Sequence, residues 1–180
     1  MLEEALSNQI LAILFVAREP LTLSELQEVY PDTSVEELKE NLESLVSKFN
    51  SLQQAVEIRQ IGGGYRMTTR PHHHENIRTY LKTRPSAKLS LAALETLAVI
   101  AYKQPVTLPE IMDIRGIKGT STIHTLLEKK LIDTRGRKKV VGRPIMYGTT
   151  KQFIIHFGLN DLSELPTLEE FQEVLSQSTG

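Results

Sequence analysis

The sequence predicts a mainly α fold with small β-hairpins (α+β), built from two copies of one small domain. Three observations carry this. REPLTLSEL, Arg18 to Leu26, recurs as KQPVTLPEI, Lys103 to Ile111, at an offset of 85 residues, with Pro20/Pro105, Thr22/Thr107, Leu23/Leu108 and Glu25/Glu110 identical. GYRMTT, Gly64 to Thr69, resembles IMYGTT, Ile145 to Thr150, at an offset of 81. In each copy, helical apolar periodicity precedes a short alternating stretch punctuated by glycine. Repetition at this period in a chain of 180 residues means two domains of about 80 residues each.

The elements follow in order. Ser7 to Ala17 reads as an apolar helix, stopped by Pro20, because proline disfavours helical geometry at the residue before it. Thr22 with Glu25, and Ser34 with Glu37, have the spacing of capping boxes and open a second and a third helix. In the third, Val35, Leu38, Leu42, Leu45, Val46 and Phe49 form one apolar stripe. Ala55 to Ile61 alternates as a half-buried strand, Gly62 to Gly64 turns, and Tyr65 to Thr69 returns. Helix, helix, helix, hairpin is the order of a winged helix, a variant of the helix-turn-helix class.

The second copy repeats the order. Ser90 caps a helix to Tyr102, Thr107 and Glu110 repeat the box, and Gly116 and Gly119 flank the turn into a third helix, Thr120 to Lys130. Leu131 to Thr134 and Ile145 to Thr149 then pair around a basic wing, Arg135 to Arg143. The expected divisions are an N-terminal winged-helix domain with a linker helix (1–84), a C-terminal winged-helix domain (85–160) and an acidic tail with a short helix (161–180). Lys151 to Phe157 reads as a helix packing Phe153, Ile154 and Phe157, and Thr167 with Glu170 caps the last helix.

Composition narrows the function classes. A hydrophobic fraction of 40% supplies packed cores, and the lack of Cys removes disulfides, thiol nucleophiles and Cys-ligated zinc. The first apolar stretch is short and lacks a basic flank, so the chain reads as soluble, cytoplasmic and without a membrane segment. The net charge of −1 is unevenly spread: residues 1–80 hold 7 basic and 12 acidic side chains, residues 81–151 hold 14 and 5, and residues 152–180 hold none and 5. An anionic partner would meet the basic middle; alternatively the segments screen one another.

No catalytic constellation stands out, and neither a cofactor nor a metal is expected. GGGYR (62–66) lacks the lysine of a P-loop and reads as a wing turn. His72-His73-His74 cannot converge on one ion, since helical neighbours diverge by about 100°. The candidate binding residues are Arg115 and the wing cations Arg135, Arg137, Lys138 and Arg143, which could meet phosphate, meet an acidic protein or stay solvated on a flexible loop. The first copy's third helix carries Glu36, Glu37, Glu40 and Glu43, which argues against the usual groove-reading pose.

Several segments together resemble one family. LSLAALETLAVIAYKQPVTLPEIMDIRGI (Leu89 to Ile117), LLEKKLI (Leu126 to Ile132), GRPIMYGTT (Gly142 to Thr150) and FGLNDLSELPTL (Phe157 to Leu168) resemble segregation and condensation protein B of bacteria. LFVAREPLTLSEL and GGGYRMTTR are similar too, while KGTSTIHT, Lys118 to Thr125, departs most from the pattern. The resemblance implies two winged-helix domains and a homodimer joined largely through the N-terminal ones. It also implies binding to the kleisin subunit, segregation and condensation protein A, and through it to the SMC ATPase, in a complex that compacts and partitions the chromosome. DNA contact would be indirect or weak, and no catalytic residue carries over. The rival readings are a winged-helix transcription regulator and an enzyme with an unrecognised site.

Overall fold

The computed structural model of the chain describes residues 2–82, 89–116, 120–167 and 170. The chain divides into two compact units, Met1–Ser86 and Ala87–Gly180, and the fold is α+β.

The first unit opens with α1, Leu2–Val16, which begins before the expected Ser7 because the residues ahead of it are good helix formers. Helix α2, Leu23–Val29, starts at the complete Thr22–Glu25 capping box. Helix α3, Val35–Ser51, is capped by half a box: Ser34 Oγ accepts from the Glu37 N–H at 3.2 Å, without the expected return bond. Strands β1, Val56–Ile61, and β2, Gly64–Thr69, pair antiparallel around Gly62 and Gly63. Both glycines have positive φ, 58° and 76°, as a two-residue hairpin turn needs. Ile10, Leu14, Leu26, Leu38, Leu42 and Ile58 form the core, each such side chain contributing about 1.5–3 kcal/mol on burial.

Polar side chains then tie α3 to the hairpin. The Asn50 amide donates to the Ile58 carbonyl and accepts from the Ile58 N–H, both at 2.9 Å. Arg70 donates to the carbonyls of Asn50 and Gln54 and pairs with Glu57 at 3.3 Å. After β2, a turn at Pro71–His73 leads into α4, His74–Lys82.

A third segment closes each hairpin. Leu21 and Tyr65 exchange two backbone bonds of 2.8 Å. That approach requires Gly64 to lack a side chain, since a Cβ there would sit 2.9 Å from the Pro20 carbonyl oxygen.

The second unit contains α5, Leu91–Lys103, capped by Ser90, then β3, Val106–Thr107, and α6, Leu108–Arg115, ended by the left-handed Gly116. Helix α7, Ser121–Glu128, is shorter than expected, and Lys130, at φ 56°, lies beyond its end. Gly119 and most of the linker before Ser90 fall outside the described residues. Strands β4, Ile132–Arg137, and β5, Ile145–Thr149, join β3 in a sheet of order β3-β5-β4. Leu97, Ile100, Leu126 and Ile132 are at the centre of the core. Val106 pairs with Tyr147 where Leu21 pairs with Tyr65, so the return strands correspond at an offset of 82, one more than the motif match suggests.

Helix α8, Lys151–Phe157, buries Phe153 and partly buries Ile154, but Phe157 stays exposed against the Phe153 ring. The chain continues through a turn at Leu162–Glu164, and the Tyr102 hydroxyl donates to the Pro166 carbonyl at 2.7 Å. Thr167 and Glu170 make the expected reciprocal cap, while the rest of that segment lies outside the described residues.

The Gly64 contact gives a test of the first unit. Gly64→Ala should force Pro20 away from β2 and cost about 1–3 kcal/mol of stability. Amide exchange at Leu21 and Tyr65 should accelerate, and unchanged protection there would show that the strand accommodates a side chain.

Candidate functional site

The basic wing of the second unit is organised around Glu110. This residue is the third position of α6, and one carboxylate oxygen accepts from the Thr107 N–H at 2.8 Å and the Thr107 hydroxyl at 2.6 Å. Its other oxygen accepts from Lys138 Nζ. These donors, Lys138 first, pull the Glu110 carboxyl down to about 2 from an ordinary 4.5. The bond spans 28 residues and ties the base of the wing loop to the helix that follows β3.

The other expected site residues fall into two groups. Arg115, at the end of α6, turns inward with its side chain 8% exposed. Its guanidinium donates to Thr96 Oγ1 at 2.6 Å and to the Glu95 carboxylate at 2.7 Å, holding α6 against α5. Arg135 lies in β4 rather than in the loop, because the strand continues through an irregularity between Thr134 and Arg137, with Gly136 at φ 92°. It crosses Gly148 to donate to the Thr149 carbonyl. A Cβ at Gly148 would meet Arg135 Cγ and Gln104 Oε1 at 2.9 Å. That Gln104 oxygen accepts from the Thr149 N–H at 2.7 Å. Arg137 donates to the Arg143 carbonyl at 3.0 Å across the loop.

Arg143 differs from these four. Its backbone closes a turn, with its N–H donating to the Val140 carbonyl at 2.9 Å, and its side chain is exposed. Gly142, third in that turn, has φ 82°, the value a type II turn demands. The Lys138 N–H donates to the Pro144 carbonyl at 2.9 Å and closes the loop behind it. The wing is therefore a hydrogen-bonded hairpin end, not the loose loop expected from its glycines and charges. Lys139, Val140, Val141 and Arg143 form its tip, with Val141 fully exposed. Sequence reading missed the two valines, whose only signal is an apolar pair where a loop should be polar.

The helix surfaces complete the description. Glu36, Glu37, Glu40 and Glu43 are all exposed on α3. Among the described residues, no group of His, Asp and Glu could hold a metal ion; the His72 and His73 rings lie 4.0 Å apart at a tilt of 50°. No described helix is long and apolar enough to cross a membrane.

Two tandem helix-and-hairpin units, the second with a braced basic hairpin, place the chain among α+β proteins of repeated architecture. Residues 8–168 match the family described as segregation and condensation complex subunit ScpB, and the chain belongs to that family. Segregation and condensation protein B of Desulforamulus reducens is 45% identical, over 89% of this chain and 87% of that one. The protein of the same name from Alkaliphilus metalliredigens is 41% identical, over 90% and 85%. The one from Myxococcus xanthus is 42% identical over 92% of this chain, which spans only 50% of that relative's length. A crystal structure of ScpB from Mycobacterium tuberculosis is 29% identical over 87% of this chain and 97% of that one, with a TM-score of 0.42.

The Glu110–Lys138 bond predicts a titration. The Glu110 carboxyl is depressed in the folded state, so its stabilising contribution is present above the ordinary value of 4.5 and is lost as pH falls toward 2. The Glu110 side-chain carboxyl carbon, followed by NMR, should titrate near 2 in the native chain and higher in Lys138→Met. Equal values in both proteins would remove Lys138 as the cause.

Proposed function

We propose that the chain is a non-enzymatic, homodimeric subunit of the bacterial chromosome condensation and segregation complex, and that it binds the kleisin subunit bridging the SMC ATPase heads. The observation that carries this reading is the family match across residues 8–168, which takes in both units. Residues 1–84 and 85–160 then act as two winged-helix domains of a cytoplasmic, nucleoid-associated protein.

Surface chemistry supports a division of labour. In the first unit Phe15 and Val16 are 78% and 72% exposed at the end of α1, an apolar area suited to a second copy of the chain. In the second unit Leu91 and Leu94 are exposed on α5, on the same helical face as Glu95. Arg115 fixes that face by bonding Glu95 and Thr96, so its role toward the kleisin is to shape the surface. Arg135, Arg137 and Lys138 shape the wing in the same way, leaving Arg143 as the member of the set that reaches outward. The acidic α3 weighs against a sequence-reading transcription regulator.

Light scattering on a size-exclusion column tests the proposal. The chain alone should elute at twice its 20.3 kDa mass and shift to a heavier complex when the kleisin is added. A species of single-chain mass that ignores the kleisin would contradict it.

A further inference from the structure

We infer that the tip of the second unit's wing is a contact for duplex DNA, entering the minor groove with Val141 as an apolar wedge between Lys139 and Arg143. The reading rests on how the structure sorts the wing's cations. Arg135, Arg137 and Lys138 each commit one donor nitrogen to the protein, to Thr149, Arg143 and Glu110. The Lys139 and Arg143 side chains are exposed and make no hydrogen bond or ion pair among the described residues. Between them Val140 is 49% exposed and Val141 103%. Val141 at the hairpin end has no neighbour to cover it and Val140 beside it is half exposed, which leaves an apolar pair open to a partner.

Charge identifies the partner. From Thr134 to Asn160 the chain holds six lysines and arginines and no aspartate or glutamate. A minor groove is about 6 Å wide, carries phosphates along both walls and accepts an aliphatic residue at its floor when a base step opens. One partner thus satisfies both the flanking cations and the valines between them. The turn is already set for such entry, because Gly142 and the Val140–Arg143 bond fix the tip before any ligand arrives. With Lys139 and Arg143 directed at the phosphates and Val141 at the base stack, the contact responds to groove width and deformability rather than to base edges. It is therefore different from the operator recognition of a regulator, and it does not depend on kleisin binding.

The test uses the full chain and a fluorescein-labelled, A·T-rich duplex of about 20 base pairs, titrated by anisotropy across a salt series. Wild type should bind with salt-dependent affinity. Lys139→Glu/Arg143→Glu should weaken binding at least tenfold and lower the log–log salt slope by about two, one for each lost phosphate contact. Val141→Ala should weaken binding with the slope unchanged. Both variants should keep the native melting temperature, because neither cation nor the valine has an internal partner, and Val141→Ala should still bind the kleisin. A wild type that ignores the duplex, or a charge reversal that leaves its affinity unaltered, would overturn the inference. A charge reversal that abolishes kleisin binding but spares the duplex would instead assign the tip to an acidic protein segment. If wild type binds duplex but not kleisin, the inference stands and the proposed function fails.

Discussion

Glu110 accepts from the backbone and hydroxyl of Thr107 with one carboxylate oxygen and from Lys138 with the other, and the shape of the second unit's wing depends on that shared acceptor. Thr107 ends β3 and starts α6, so its box fixes the corner at which sheet becomes helix. Lys138 begins the wing loop, so the same carboxylate fixes where the hairpin leaves the domain. A neutral side chain at 110 could cap the helix weakly, but it would offer Lys138 no ion pair. The first unit uses the same corner, with Thr22 and Glu25 opening α2 after Leu21 pairs with Tyr65.

That constraint explains why a run of basic residues does not act as one patch. β4 continues past the point where the loop was expected, and strand geometry aims Arg135 back across Gly148. Arg137 then braces the carbonyl of Arg143, and Lys138 reaches Glu110. Three cations hold the wing and two present it. Removing one from the first group changes the shape of the surface, and removing one from the second changes its charge.

Much of this was legible in the sequence, for physical reasons that differ by element. The duplication is visible because the Thr-x-x-Glu box and its flanking apolar residues do the same work twice, at Thr22 and at Thr107. The hairpins are visible because glycine turns and alternation are local signals. The inward turn of Arg115 was not legible, since nothing in the spacing says that Glu95 and Thr96 face it across two helices. Lys138–Glu110 was hidden for the same reason, a contact 28 residues long between a loop and a helix. Gly148 was a usable clue, because glycine inside a strand marks a close approach by another group. The clamp of Asn50 and Arg70 on the first hairpin is likewise a matter of tertiary geometry.

The two copies have kept their framework and changed their surfaces. The first carries an acidic α3 and exposed Phe15 and Val16, while the second carries the braced basic wing. The proposed division of labour puts self-association in the first unit and kleisin binding in the second. Hydrogen-exchange mass spectrometry across a dilution series, with and without the kleisin, measures it directly. Concentration should protect segments within residues 1–86, and the kleisin should protect segments within residues 87–160. Protection by the kleisin confined to the first unit, or found nowhere, would contradict that division.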